Sequence, residues 1–253
     1  MEDSSYSALM CVSPHETPAY LKDSMMSLFE QTVQSDDFVL IENGPLPPAL
    51  KAVIKRLKTV FKNRLRVITL RGHVERGDAL AIGLKECRHE MVARMNSDAI
   101  AVPERCERQL RVFEKRTVDI VGCAVSVFKD ETANVTKVLY LPTEAVDITK
   151  YSRRQAPFHD TAVMMKKSKA LEAGNFSGEF QPYEEYHLWV RMLMNGCSGF
   201  NIAEALVAVR EESLTERDRS GTDQLLVFEK WKREVGWMKM SDYVKARVRL
   251  LLP

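Results

Sequence analysis

Short apolar runs alternate with amphipathic stretches from residue 7 to residue 95, and few folds accommodate that order. Residues 7–12 (SALMCV), 38–41 (FVLI), 65–70 and 91–95 (MVARM) each read as a buried strand. Between them, residues 19–31 set Leu21, Met25, Leu28 and Phe29 at helical spacing. Residues 48–62 set Leu50, Val53, Ile54, Leu57 and Phe61 on one stripe, and residues 78–87 supply a third helix. Strand, helix, strand, helix with short turns predicts an open α/β sheet, mostly parallel and flanked by helices. Ligands in such sheets sit beyond the carboxyl ends of the strands. That rule nominates the loops 13–18, 42–45 and 96–99.

Further along, a helix over 105–115 leads to an apolar run, 119–127, that reads as a central strand. Residues 130–142 suggest a hairpin turning near 132–134, residues 156–165 an extended stretch, and residues 171–176 a short element closed by Gly174. Residues 184–195 carry Leu188, Trp189, Met192 and Leu193 at helical spacing, and Gly196 supplies the stop. A last strand is expected over 205–209, followed by charged helices over 224–235 and 240–252.

The 253 residues suit one large domain or one and a half. A net charge of +2 is too small for a wholesale nucleic-acid binder. No stretch approaches the roughly 18 apolar residues that span a bilayer, and the acidic start lacks the pattern of a signal peptide. A cytoplasmic location follows as an expectation. The five cysteines are scattered with no C-x-x-C pair, so neither a disulfide framework nor a zinc site is expected.

Asp98 follows a buried strand and would place a carboxylate at the ligand edge, where Mg²⁺ or Mn²⁺ can be held with substrate phosphates completing the shell. Turns favour Asp in any case, so the surrounding residues decide. Residues 87–110 (CRHEMVARMNSDAIAVPERCERQL) resemble the metal-binding block of family-2 glycosyltransferases, G-E-Y-I-A-R-M-D-S-D-D-I-x-x-P-x-R-x-x-x-Q. Residues 7–32 resemble the family's opening strand and helix, and 39–45 (VLIENGP) its V-L-V-E-D-G-P loop. Residues 183–196 (YEEYHLWVRMLMNG) resemble its E-D-Y-x-L-W-x-R helix, followed by FNIAEAL at 200–206. The resemblance spans residues 7–210 and is nearest the bacterial enzymes of O-antigen, capsule and exopolysaccharide synthesis, of the amylovoran type.

The resemblance implies a GT-A fold: a nucleotide-sugar-binding half over 7–103, an acceptor half over 104–210, and a helical extension over 211–253. It implies a single displacement with inversion, a UDP-sugar donor and a divalent metal, Mn²⁺ or Mg²⁺. The implied acceptor is a polyprenyl-diphosphate-linked sugar or an oligosaccharide. In this reading Asp98 is the metal ligand, and Glu42 and Asn43 read the base and ribose. Arg94 and Asn96 reach the nucleotide, and Glu185 is the general base. Glu184, His159, Trp189 and Arg191 fall on the acceptor side, with Trp189 better suited to the core than to a sugar platform. His15 and His73 are expected at the surface.

This chain also departs from the pattern. Asn96 and Ala99 stand where the family has carboxylates, Asn43 and Glu185 replace aspartates, and residues 73–80 (HVERGDAL) lose an asparagine and a glycine of N-x-G-x-G-x-A-L. These changes leave open a catalytically weakened homologue that acts as a nucleotide-sugar or sugar binding module. The tail over 230–253 mixes Lys and Arg with Trp231, Trp237, Met238, Met240, Tyr243 and Val244. It is expected either to rest on the inner membrane or to pack on the catalytic domain.

Overall fold

The computed structural model describes residues 5–213 and 222–244. The first strand, β1 (Tyr6–Val12), is buried along its whole length, as a central parallel strand covered on both faces must be. Its alternation sorts the core. Ala8, Met10 and Val12 face α1 (Pro18–Phe29) and α2 (Pro48–Phe61), while Leu9 and Cys11 face α3 (Arg76–Glu86). Leu50, Ile54, Leu57 and Phe61 form the buried stripe of α2. Helix α3 lies so close to the sheet that a Cβ on Gly83 would stand 2.5 Å from Leu9 Cδ1. Any larger residue there would push the Leu9 and Ile41 side chains aside.

Strands β2 (Asp37–Glu42), β3 (Leu65–Thr69) and β4 (Met91–Arg94) join β1 in parallel, in the order β3-β2-β1-β4. Beyond β4 the sheet becomes mixed. The three-residue β5 (Ala99–Ala101) precedes α4 (Arg105–Lys115), and the long β6 (Ile120–Phe128) turns back as β7 (Val135–Leu139). After α5 (Ala145–Tyr151), strand β8 (Met164–Lys166) fits antiparallel between β4 and β6. Helices α6 (Lys167–Glu172) and α7 (Glu184–Met194) precede β9 (Gly199–Arg210), which runs parallel to β6 and antiparallel to β5. The path is β3-β2-β1-β4-β8-β6-β9-β5.

The helix and strand expectations through residue 128 match these elements, with one refinement there and others further along. The 96–99 loop ends in β5, where Ala99 pairs with Val209 and is buried. An acidic residue at 99 would therefore meet the core. Residues 156–165, expected to be extended, instead contain a 3-10 turn at Asp160–Ala162 before β8, closed by Ala162 N–H donating to His159 O. Residues 171–176 are the end of α6 and its turn, and the last strand is longer than expected.

Helix α8 (Thr222–Glu234) packs on α7, with Phe228 against Phe180, Tyr186 and Val190. Lys232 is buried and donates to Tyr186 Oη at 2.8 Å and to Arg153 O at 3.2 Å. Trp231 and Trp237 pack against the same cluster, and Trp237 Nε1 donates to Ser152 Oγ at 3.1 Å. These aromatics therefore pack against the body of the fold. Residues 240–244 are helical, and the basic RVRLLLP end lies outside the described residues. No described helix is long and apolar enough to cross a membrane.

Candidate active site

A cavity of about 730 Å³ opens at the carboxyl ends of β1 and β4, lined by Ser13, Glu16, Tyr20, Arg76, Asn96 and Asp98 among others. The turn after β4 is braced from all sides. Arg105, buried beneath it, donates to Arg94 O at 2.7 Å; Asn96 N–H donates to Thr161 Oγ1 at 3.0 Å; Ser24 Oγ donates to Asn96 O at 2.7 Å. Ser97 Oγ donates to Glu16, tying the loop after β1 to the same turn.

Asp98 is half-buried on the cavity wall and makes no hydrogen bond or ion pair among the described residues. Glu16 stands close enough to feel its charge. Burial raises the Glu16 pKa, the Ser97 hydrogen bond and Arg76 pull it back, and Asp98 pushes it up again. Two carboxylates facing one solvent-filled space suit a hard cation. Among the described residues no three His, Cys, Asp or Glu side chains gather as a metal cluster, so further ligands would come from phosphate oxygens.

Below the cavity lies a four-charge cluster. Glu185 Oε1 accepts from Arg94 Nη2 at 2.9 Å and from Arg76 Nη2 at 3.3 Å, and Glu184 Oε1 lies 3.7 Å from Arg76 Nε. Both glutamates are 1% exposed, against 31% for the Arg76 side chain. They open α7, and the helix is held in register by Trp189, which is buried edge-on to Phe158 and Phe176. Burial, then the neighbouring Glu185, raises the Glu184 pKa to about 7. Its Oε2 is buried without a hydrogen-bond partner among the described residues. Asn96 Oδ1 accepts from Arg94 Nη2 at 2.7 Å and from Arg76 Nη2, so the cluster reaches the cavity floor through one amide.

Several expected roles change once the side chains are placed. Arg94 is fully buried, and its guanidinium is taken by Glu185, Asn96 and Met95 O. It lies under the floor instead of reaching a nucleotide. Asn43 clamps the 73–74 backbone, accepting from Val74 N–H at 3.0 Å and donating to Val74 O at 2.8 Å, and Glu42 accepts from Thr69 Oγ1 at 2.7 Å. Neither lines the cavity. His159 contacts Leu139 O and is held neutral by burial, its pKa lowered to about 4. Trp189 is core, as expected, with Nε1 donating to Asp160 Oδ1 at 3.2 Å. Arg191 braces the turn after α6, donating to Ala173 O and Asn175 O. These three residues hold the second half of the fold together and do not face the cavity.

Conversely, Glu16, Arg76, Tyr20 and Gln181 line the cavity without having been singled out, and His15, expected at the surface, is exposed on its rim. Glu16 and His15 lie in the 13–18 loop that the sheet-edge rule nominated. Arg76 lies within the altered glycine-rich stretch.

The comparisons with known proteins agree with this architecture. The model for "Glycosyl transferase family 2" matches residues 11–173. The amylovoran biosynthesis glycosyltransferase AmsE of Erwinia amylovora is 30% identical over 245 residues, covering 97% of this chain and 84% of the relative. An Escherichia coli UDP-Gal:alpha-D-GlcNAc-diphosphoundecaprenol beta-1,3-galactosyltransferase is 31% identical, covering 85% and 78% respectively. Among solved structures, S. aureus TarS 1–349 in complex with UDP-GlcNAc superposes with a TM-score of 0.63 at 14% identity, over 81% of this chain and 58% of that one. The chain thus spans less than two thirds of that solved chain, and the likeness establishes the GT-A fold.

Proposed function

The chain belongs to glycosyl transferase family 2, and from that premise we propose that it moves a hexose or N-acetylhexosamine, with inversion, from a UDP-sugar to a hydroxyl of a lipid-linked or oligosaccharide acceptor in bacterial surface-polysaccharide synthesis. One observation carries the proposal: a single polar network runs from the cavity turn that bears Asp98, through Asn96 and Arg76, to Glu185 at the start of α7. The diphosphoundecaprenol-linked acceptor in the name of the Escherichia coli relative supports the lipid-linked class.

In this reading the acceptor oxygen attacks the anomeric carbon and the bond from that carbon to the β-phosphate oxygen breaks. The hydroxyl proton passes to the Glu185 carboxylate, and UDP leaves with the bonding electrons. Asp98, with Glu16 beside it, would hold Mn²⁺ or Mg²⁺, which neutralises charge on the departing diphosphate when bound. Arg94, itself fixed by Asn96, holds Glu185 in place from below. For Glu185 to accept the proton, Arg76 must shift off it.

A screen of UDP-galactose, UDP-glucose and their N-acetyl forms against a lipid-diphosphate-GlcNAc acceptor with Mn²⁺ tests the reading. Transfer from at least one donor is expected, with UDP released in proportion to product. The cover that Arg76 places over Glu185 favours a second reading, a nucleotide-sugar-binding module. UDP binding without UDP release from any donor would support it.

A further inference from the structure

The cavity carries an uneven charge inventory. Among the described residues that line it, Glu16, Asp98 and Glu212 are acidic and Arg76 is the one Arg or Lys. A donor diphosphate entering there would bring further negative charge against three carboxylates. Asn96 and Ala99 also reduce the acidic set that would concentrate a cation.

Arg76 is built to answer that charge. It is the first residue of α3, where its backbone N–H donates to Gln181 Oε1 at 3.2 Å. The next residue, Gly77, is pressed so tightly on the 177–178 turn that a Cβ there would lie 2.1 Å from Ser177 O. The backbone under Arg76 is therefore fixed. Its side chain spans from the buried Glu184–Glu185 pair to the cavity, and it is the member of the cluster that solvent reaches. A guanidinium has five N–H donors. The Nη1 group makes no hydrogen bond among the described residues, while Nη2 is shared between Asn96 and Glu185. Burial disfavours the Arg76 charge, but Glu185 and Glu184 more than offset it, so it stays cationic.

We propose that Arg76 is a diphosphate-binding residue of the donor site, which turns its guanidinium from Glu185 to the phosphate oxygens when the donor enters. The inference rests on the UDP-sugar reading above. The exchange supplies charge to the leaving group from the protein itself and uncovers Glu185 in the same movement, with Arg94 still holding that carboxylate. A planar guanidinium meets two phosphate oxygens at once, which a lysine ammonium does not.

The test is calorimetric titration of UDP and of uridine in EDTA, reading the ratio of the two affinities. Damage that loosens the pocket as a whole lowers both and leaves the ratio alone. The wild type should favour UDP by about tenfold or more, the scale of a hydrogen bond to a charged group. Arg76→Gln should bring the ratio close to one with uridine affinity unchanged, and Arg76→Lys should lower it by a smaller factor. If the Gln variant fails to fold by circular dichroism, the Lys variant carries the test. A Lys ratio equal to the wild-type ratio then contradicts the proposal, as an unchanged ratio in the Gln variant would. A wild-type ratio near one in EDTA that rises only with Mn²⁺ would overturn the role of Arg76 and leave the donor reading standing. Wild-type protein that binds neither UDP nor uridine, with or without Mn²⁺, would overturn both.

Discussion

The two halves of the sheet bring residues to the cavity by different means. In the parallel half, β3-β2-β1-β4, site residues sit in loops directly after β1 and β4: Ser13, Glu16, Asn96 and Asp98. Their position follows from strand direction alone. In the mixed half, Glu184 and Glu185 open a helix and meet the cavity through two arginines from the other half, Arg76 and Arg94. Strand direction does not place them. The packing of α7 does, through Trp189, Tyr186 and Leu188. In the proposed reading the first half is a binding edge fixed by local geometry, and the second supplies the reactive carboxylate, fixed by long-range packing. Damage to the two halves should separate binding, chemistry and stability.

The largest separation is expected at Asp98. Asp98→Ala removes a wall carboxylate that makes no hydrogen bond or ion pair among the described residues, so turnover with Mn²⁺ should fall about 10³-fold, the several kcal/mol a Lewis acid supplies, while the melting temperature stays near wild type. Unchanged Mn²⁺-dependent turnover would break the comparison on the parallel side. Trp189→Ala acts on the other half. Emptying that buried site should cost about 3–5 kcal/mol in chemical denaturation and reduce turnover by loosening α7. A loss under 1 kcal/mol would mean that Trp189 does not set the register.

Glu184 sharpens the contrast through pH. Its folded pKa of about 7 lies above the ordinary 4.5, so the fold prefers the protonated acid. The stability it contributes is complete below about 4.5 and is lost as pH rises through 7. Glu184→Gln should therefore melt several degrees above wild type at pH 8, with the gap closing by pH 5. An equal gap at both pH values would contradict the assignment. The smallest effect is expected at Asn43, whose amide clamps Val74 within the parallel half. Asn43→Ala should cost about 1–3 kcal/mol and change uridine affinity little. A selective loss of uridine binding would restore a base-reading role.

What could be read in advance follows the same divide. The alternation of strands and helices exposed the parallel half, and the sheet-edge rule picked two of the loops that line the cavity, 13–18 and 96–99. The third loop, 42–45, turned inward because Asn43 spends its amide on backbone. Arg94 was misplaced because a polar residue on a strand by the site reads the same whether it faces the ligand or lies beneath it. Only its pairing with Glu185, 91 positions away, decides. Arg76 carried no signal of its own, since its meaning depends on two glutamates more than a hundred residues later. The short β5 escaped because three residues show no period; it exists as a strand only by pairing with a distant partner, while β8 falls at the end of the stretch 156–165 expected to be extended.

The account stands or falls on Glu185 as the group that takes the acceptor proton while the parallel half holds the donor. UDP affinity and sugar transfer measured side by side in Glu185→Gln test it directly. Transfer should drop by about 10²–10⁴-fold with UDP affinity within a few-fold of wild type. Near-normal transfer by the Gln variant, or transfer and UDP affinity lost together in a folded protein, would contradict it.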